Sequence, residues 1–426
     1  MTSLVEAAAL ARALDEYVAE NAGRLIEIIR ALVQEPTLRG CEEPAQQIIE
    51  LKLRELGFAT ERVAPDSEAL RRNPRAGHFT TPYDSRTCVA GRLSGRGTGK
   101  SIHLSGHIDV VPVEATERWA TPPWEATVVG SRLYGRGTGD MKAGIAAYLL
   151  AVEAVLAVSG KPGGDVIFTS VIEEECTGNG MISVLDAGFD ADATLIGEPS
   201  GLRLMYGGVG VSWAHLTASG NGGHARLLEG SETPIDKLMH ALEALRALER
   251  RLNETSPPIA GMPEHPYRLN IGMINAGSWP SSQAAEASAR VRIGFGPDFE
   301  PFQLEDALRE AVSDAEPDVN VVFDGFRAHA YEQALSEPFV DLVRQCHTTL
   351  HGSPPDAFFS TGTTDARYVN GPALCYGPVA GNTHGVDEWV DLDTAKATAV
   401  AVALATAMWC GRRPQPRRTS AQHETR

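Results

Sequence analysis

"GDVIFTSVIEEECTGNG", residues 164–180, is the stretch on which the reading of this chain turns. Its first half is an apolar run rich in β-branched and aromatic residues. That is the pattern of a strand covered on both faces, as in a parallel α/β sheet. Glu173, Glu174 and Glu175 follow at once, and a glycine-rich turn follows them. Adjacent like charges repel strongly wherever water is scarce. A buried strand ending in three of them needs cations close by, which marks its end as a candidate site.

The surrounding segments share this style. "TCVAGRL" (87–93), "SIHLSGHIDVV" (101–111) and "ADATLIGE" (191–198) read as strands, and "EATVVGSRLYGRG" (125–137) as a hairpin with Gly130-Ser131 at its tip. "MKAGIAAYLLAVEAVLAVSG" (141–160) is a helix that ends at Gly160. The fold class is α/β, a mainly parallel sheet with helices on both faces. After residue 206 the pattern changes. Alternating "SWAHLTASG" (212–220), the amphipathic "TPIDKLMHALEALRALERRL" (233–252), two strands, a helix near 302–315 and "NVVFDGF" (320–326) give a β-α-β-β-α-β order. That order signals a split βαβ (ferredoxin-like) unit. The expected organisation is a catalytic domain at 1–206 and 329–412, interrupted by an inserted α+β lid and dimerisation domain at 207–328, with a disordered tail at 413–426.

Charge and cysteine usage narrow the function. A net charge of -17 over 426 residues leaves "RRPQPRR" near the end as the one basic run, so nucleic acid is not an expected partner. Six widely spaced cysteines without a C-x-x-C pair suggest free thiols and a reducing, cytoplasmic setting. The first residues lack a basic leader, and no apolar run reaches the roughly 18 residues that cross a bilayer. A soluble protein with no membrane partner is expected.

Chemistry-bearing residues gather at strand ends. His107 and Asp109 lie two apart and leave the same face of a strand. A metal-binding imidazole usually passes its second N–H to a carboxylate, which Asp109 could supply. His103 lies further back and reads as a satisfied core histidine. Asp140, in "GRGTGDMKAG", leaves a glycine-rich turn at a helix start, as an N-cap or as a metal ligand. Glu175 and Glu198 end two further strands at the carboxyl edge, where open α/β sheets place their sites. "AGNTHGVDEWV" (380–390) adds His384 from a late loop. Five convergent nitrogen and oxygen donors point to a metal centre.

The run of motifs resembles one metallohydrolase family. His107-x-Asp109, Gly-Arg-Gly-x-x-Asp140-Met-Lys, Glu174-Glu175, Glu198-Pro199 and Gly-x-x-His384-Gly-x-Asp387-Glu388 are similar, in order, to the signature of the co-catalytic zinc enzymes. These comprise aminoacylases, acetylornithine deacetylases and succinyl-diaminopimelate desuccinylases, with carboxypeptidases and dipeptidases among them. The resemblance runs from about residue 85 to 405. It implies two Zn2+ per chain (Co2+ or Mn2+ as alternatives), one held by His107, Asp140 and Glu198, the other by Asp140, Glu175 and His384. Asp140 would bridge them, since two close cations repel unless anions are shared. N/O donors without cysteine suit zinc. Strand alternation would turn Glu174 away from Glu175 and leave it free as general base, with Asp109 as the supporting carboxylate.

The implied reaction is hydrolysis of the amide bond of an N-acyl amino acid or related small amine, the alternative being a dipeptidase or carboxypeptidase. The segment "SGNGGHARLLEG" resembles the one whose histidine reaches a partner's site across a homodimer, a role that falls on His224. A substrate carboxylate calls for an arginine fork, with Arg292 and Arg367 as candidates. The polar segment 71–86 is a candidate specificity loop.

Overall fold

The computed structural model describes residues 4–411 apart from 82, 228, 229, 231 and 257–263. The tail expected at 413–426 lies outside them. One large sheet runs in the order Ala59–Val63, Cys88–Leu93, Val166–Val171, Ile102–His107, Thr194–Ile196, Ala373–Cys375, Leu204–Gly208 and Tyr331–Glu332. Ala357–Ser360 pairs beside Leu204–Gly208. The sheet is mixed, which corrects the expectation of a mainly parallel one. Ile102–His107 runs parallel to both of its neighbours and Ala373–Cys375 parallel to Thr194–Ile196, whereas Cys88–Leu93 joins Val166–Val171 antiparallel. The strands that deliver the candidate site are therefore the parallel centre, and the reversals lie to either side.

Continuous apolar runs make that centre. Every residue of Val166–Val171 and of Ile102–His107 is buried. The helix Ala143–Ser159 is apolar almost all round and buried over most of its length, as suits a helix inside a core, and it packs along Leu392–Cys410. Among the described helices, the stretch 138–159 is long and apolar enough to cross a membrane, against the expectation that none would be, but 78% of that window is buried inside the fold. Gly144 meets the Gly197 carbonyl so closely that a Cβ there would collide with it. This close approach sets the helix after Asp140 against the strand end that carries Glu198.

A second sheet has the order Arg268–Ala276, Glu286–Phe295, Gly210–Ser219, Asn320–Ala328, all antiparallel. The helices Pro234–Thr255 and Pro301–Ala315 cover it, around a core of their own built on Leu242, Leu245, Ile293 and Phe295. Thr233 and Asp236 cap the first of these helices reciprocally. The chain passes from the large sheet to the small one at Val209 and returns after Ala328.

Segment 71–86, the candidate specificity loop, is tied down at several points. His78 exchanges two backbone hydrogen bonds with Gly325 and its ring meets Glu305, both in the second unit. Gly77 is held by Asn179, and Arg75 donates to the Arg367 carbonyl. Tyr83 and Arg86 reach Glu173. The segment thus straps the two units together.

Candidate metal centre

The carboxyl ends of three parallel strands and two loops converge. His107 closes Ile102–His107, Glu198 lies two residues beyond Thr194–Ile196, and Glu173–Glu175 follow Val166–Val171. One potential ligand atom each from His107, Asp140 and Glu198 lies within 4.8 Å of the others, and the same holds for Asp140, Glu175 and His384. Asp140 belongs to both groups. His107 Nε2 is 3.0 Å from Asp140 Oδ1, while His384 Nε2 is 3.3 Å from Asp140 Oδ2 and 3.1 Å from Glu175. The helix after this turn is capped at Lys142 and begins at Ala143, so Asp140 is not its N-cap.

Backbone contacts hold these side chains in place. Glu388 is buried, accepts from the N–H of Gly139 and of Asp140, and is paired with Arg136 at 2.5 Å. Asp109 Oδ1 and Oδ2 accept from the N–H of Glu174 and of Glu175. The His107 Nδ1 contact is the Asp109 backbone oxygen at 2.9 Å, with the carboxylate further off at 3.8 Å. Asp109 therefore fixes the imidazole through its main chain and the glutamate turn through its side chain. Glu173 and His384 both sit at φ 63, a left-handed conformation uncommon outside glycine.

The three glutamates part company in a turn. The strand stops at Val171, so strand alternation does not separate them as expected. Glu173 turns back into the protein, where Arg39 Nε (2.7 Å), Arg86 Nη1 (2.5 Å), Tyr83 and Thr177 surround it. Burial pushes its carboxyl up, but Arg39, Tyr83 and Arg86 together hold it below the ordinary value. Glu175 joins the cluster. Glu174 is buried beside it, with Arg367 Nη1 3.7 Å from Oε1.

The electrostatics ask for cations. Burial alone would lower His107, yet its hydrogen bond to Asp140 and the charges of Glu198, Asp140 and Glu174 hold it well above its ordinary value. His384 is raised to about 11, first by the Glu175 charge. Glu198 is raised by burial and then by Asp140, and Glu174 by burial and then by Glu198 and Asp365, with His107 opposing. Acids that raise one another this way are short of positive charge. The donors are two imidazoles and three carboxylates, and the nearby Cys176 thiol is pushed up by burial and faces the Glu173 carbonyl. Such a set fits a pair of divalent ions.

The remaining candidates are placed differently from one another. A cleft of about 300 Å³ is lined by Glu175, His384, Trp213, Asn270, Arg290 and Arg292, among others. Arg290 leans on Asp324 at 3.5 Å, whereas Arg292 has no acidic partner among the described residues, and burial lowers it. Arg367 does not line the cleft, and its side chain is 1% exposed. His224 is exposed on the short strand Gly223–His224, paired with Ser282–Gln283. His103 is buried against Thr169, with its pKa pushed down to about 3 by burial. Reading the sequence missed Arg39, Tyr83 and Arg86 as partners of Glu173, because each lies far along the chain from it and no local pattern links them.

Comparison with known proteins decides the affiliation. The profile of peptidase family M20/M25/M40 matches residues 103–408. The chain belongs to that family. M20 proteins are metal-dependent hydrolases, and this chain is one of them. A succinyl-diaminopimelate desuccinylase of Maricaulis maris is 29% identical over 394 residues, covering 87% of this chain and 92% of the relative. A di-peptidase from Saccharomyces cerevisiae has the same fold, with a TM-score of 0.77 at 15% identity over 94% of this chain and 99% of that one. A dinuclear metal-binding M20 peptidase of Bacillus subtilis superposes with a TM-score of 0.59 at 16% identity, over 92% and 99%.

Proposed function

We propose that this M20 protein is a two-metal deacylase that removes the N-acyl group of a small amino acid or related amine. Two three-ligand groups sharing Asp140 at one sheet edge, with Glu174 beside them, are the observation that carries the reading. His107, Asp140 and Glu198 would hold one ion, and Asp140, Glu175 and His384 the other. Zinc suits these donors, with cobalt or manganese as substitutes. A bound cation pair supplies an activated water and polarises the scissile carbonyl.

The chain's own residues do the rest. Glu174 takes the proton from water and delivers it to the leaving amine. Asp109 and Glu388 hold the turns that carry Glu174, Glu175 and Asp140 in register. Arg292 lines the cleft and has no acidic partner among the described residues, which supports it as the arginine that takes a substrate carboxylate. The M. maris relative, a desuccinylase by name, supports an acidic N-acylated substrate. The S. cerevisiae di-peptidase shares the fold, and a dipeptidase is the second reading.

The unit spanning 207–328 would act as lid and dimerisation domain, between catalytic parts at 1–206 and 329–412. Its edge strand Arg268–Ala276 exposes Met273 and Ile274, and Trp279 follows it into solvent. These residues support a homodimer in which His224 of one copy completes the site of the other. The six cysteines form no disulfide among the described residues, which supports a cytoplasmic setting.

The test is a panel of N-succinyl, N-acetyl and N-formyl amino acids beside unblocked dipeptides, run on metal-loaded protein. N-acyl amino acids should be turned over best, and Glu174→Gln should lose about 10³-fold in kcat while keeping two ions per chain. Dipeptide turnover alone would transfer the protein to the second reading. An active Glu174→Gln would remove the base.

A further inference from the structure

Arg367 does not behave as a substrate-binding arginine. The rings of Tyr368 and Phe326 lie 4.3 Å and 5.5 Å from its guanidinium carbon, and Nη1 donates to Thr363 Oγ1 at 3.2 Å. Gly178, at φ +74, leaves the groove through which Nη2 passes, and a Cβ there would collide with it. So enclosed, the guanidinium faces the acids behind the candidate metal centre. Nη1 is 3.7 Å from Glu174 Oε1 and Nη2 is 4.0 Å from Asp365 Oδ1. Glu174 Oε1, Asp365 Oδ1 and Arg367 Nη2 are all buried without a direct hydrogen-bond partner. Leaving such groups short of a partner is costly, so a charge kept there without closing into an ordinary ion pair calls for a use.

We propose that Arg367, steadied by Asp365, is a positioning residue that holds the Glu174 carboxylate over the reacting water. The inference rests on Glu174 being the base. Glu174 has three side-chain torsions and sits near Glu198 and Asp365, whose charges act against its ionised form. A fixed cation on its far side selects one orientation and keeps it. Displacement of a catalytic group by about 1 Å costs on the order of 10²-fold in rate. Arg367 touches neither the cleft nor the clustered ligand atoms, so its removal spares substrate affinity and metal content. Glu174 and Arg367 form one unit, and changes within a unit are not additive.

The experiment compares the metal-loaded parent, Arg367→Met, Arg367→Lys, Glu174→Gln and the double variant Glu174→Gln/Arg367→Met on the best N-acyl substrate. Arg367→Met should lose about 10- to 100-fold in kcat with KM within about twofold and two ions retained. Arg367→Lys, which keeps the charge without the planar fork, should fall between parent and Met. In the Glu174→Gln background the Met change should cost nothing further. A loss confined to KM would make Arg367 a substrate ligand and overturn the proposal, as would a parental kcat. An additive loss in the double variant would make its role general packing and overturn it too. If Arg367→Met fails to fold, Arg367→Lys carries the test by the same kcat-against-KM criterion. Turnover surviving in Glu174→Gln would sink the reading of the base, whereas an inactive Glu174→Gln beside an unimpaired Arg367→Met sinks this inference alone.

Discussion

Two groups of histidine and carboxylate side chains in this protein meet the same distance requirement, and they differ in how the chain holds them. At the large sheet's edge, His107, Asp140, Glu198, Glu175 and His384 form two linked triplets. On the second unit, Glu232, His240 and Glu316 form one. His240 is half-exposed and already bonded, with Nδ1 2.7 Å from Glu316. The His240 ring lies between the two acids at the surface, with Glu232 further off at 3.7 Å. At the sheet edge His107 is 1% exposed, and Asp109 and Glu388 hold the carrying turns by backbone hydrogen bonds. Proximity alone marks both, while an arrangement pre-set by backbone hydrogen bonds marks one. Such preorganisation distinguishes a site from a surface cluster.

The largest effect should come from the shared acid. Asp140→Asn is expected to abolish binding of both divalent ions and to lower turnover by at least about 10³-fold, whereas His240→Ala should leave both at the parental level. Metal analysis of dialysed protein, together with initial rates, checks the pair. Equal losses from the two variants would erase the distinction.

How far this contrast was legible in the sequence follows from the range of each contact. The five triplet residues stand at strand ends or beside glycine-rich turns, where residue type and position coincide with a motif. The split βαβ order was legible for the same reason, because alternation and helical periodicity are local. The antiparallel strands flanking the central sheet were not, since pairing direction depends on connections that no window contains. The environment of Glu173 was equally hidden. Arg39 and Arg86 reach it from 134 and 87 residues away, and the second lies in a segment that composition alone presented as a loop. Arg367 could be named but not assigned, because the sequence carries its charge and not its burial.

Glu173 and Glu175 carry the contrast within one turn. Glu175 faces the cluster, and Glu173 is neutralised by the protein itself. Glu173→Ala should therefore act on stability first. It leaves Arg86, whose side chain is 15% exposed, with Glu42 alone, and it leaves Tyr83 without its acceptor. Removing one partner of a buried pair costs about 3–5 kcal/mol, and the half-exposed Arg39 places this case at about 3 kcal/mol. Chemical denaturation measures it, with metal content expected to stay at two ions. A variant as stable as the parent would mean that the two arginines are not what neutralises Glu173.

The smallest effect belongs to the surface triplet. The hydrogen bond to Glu316 raises the pKa of His240, partial burial opposes this, and the charges of Glu232, Glu316 and Asp236 add to the rise. A histidine whose folded-state pKa is raised stabilises the fold most when protonated. Its contribution is complete below the unfolded value of 6.5 and disappears as pH climbs through the folded-state value. Because the imidazole is open to water, screening keeps the effect small. Following the His240 ring protons by NMR from pH 5 to 9 should place the midpoint above 6.5, and adding zinc or magnesium should not move it. A midpoint that falls on metal addition would show that this cluster also gathers cations, and preorganisation would then lose its place as the feature that separates the two.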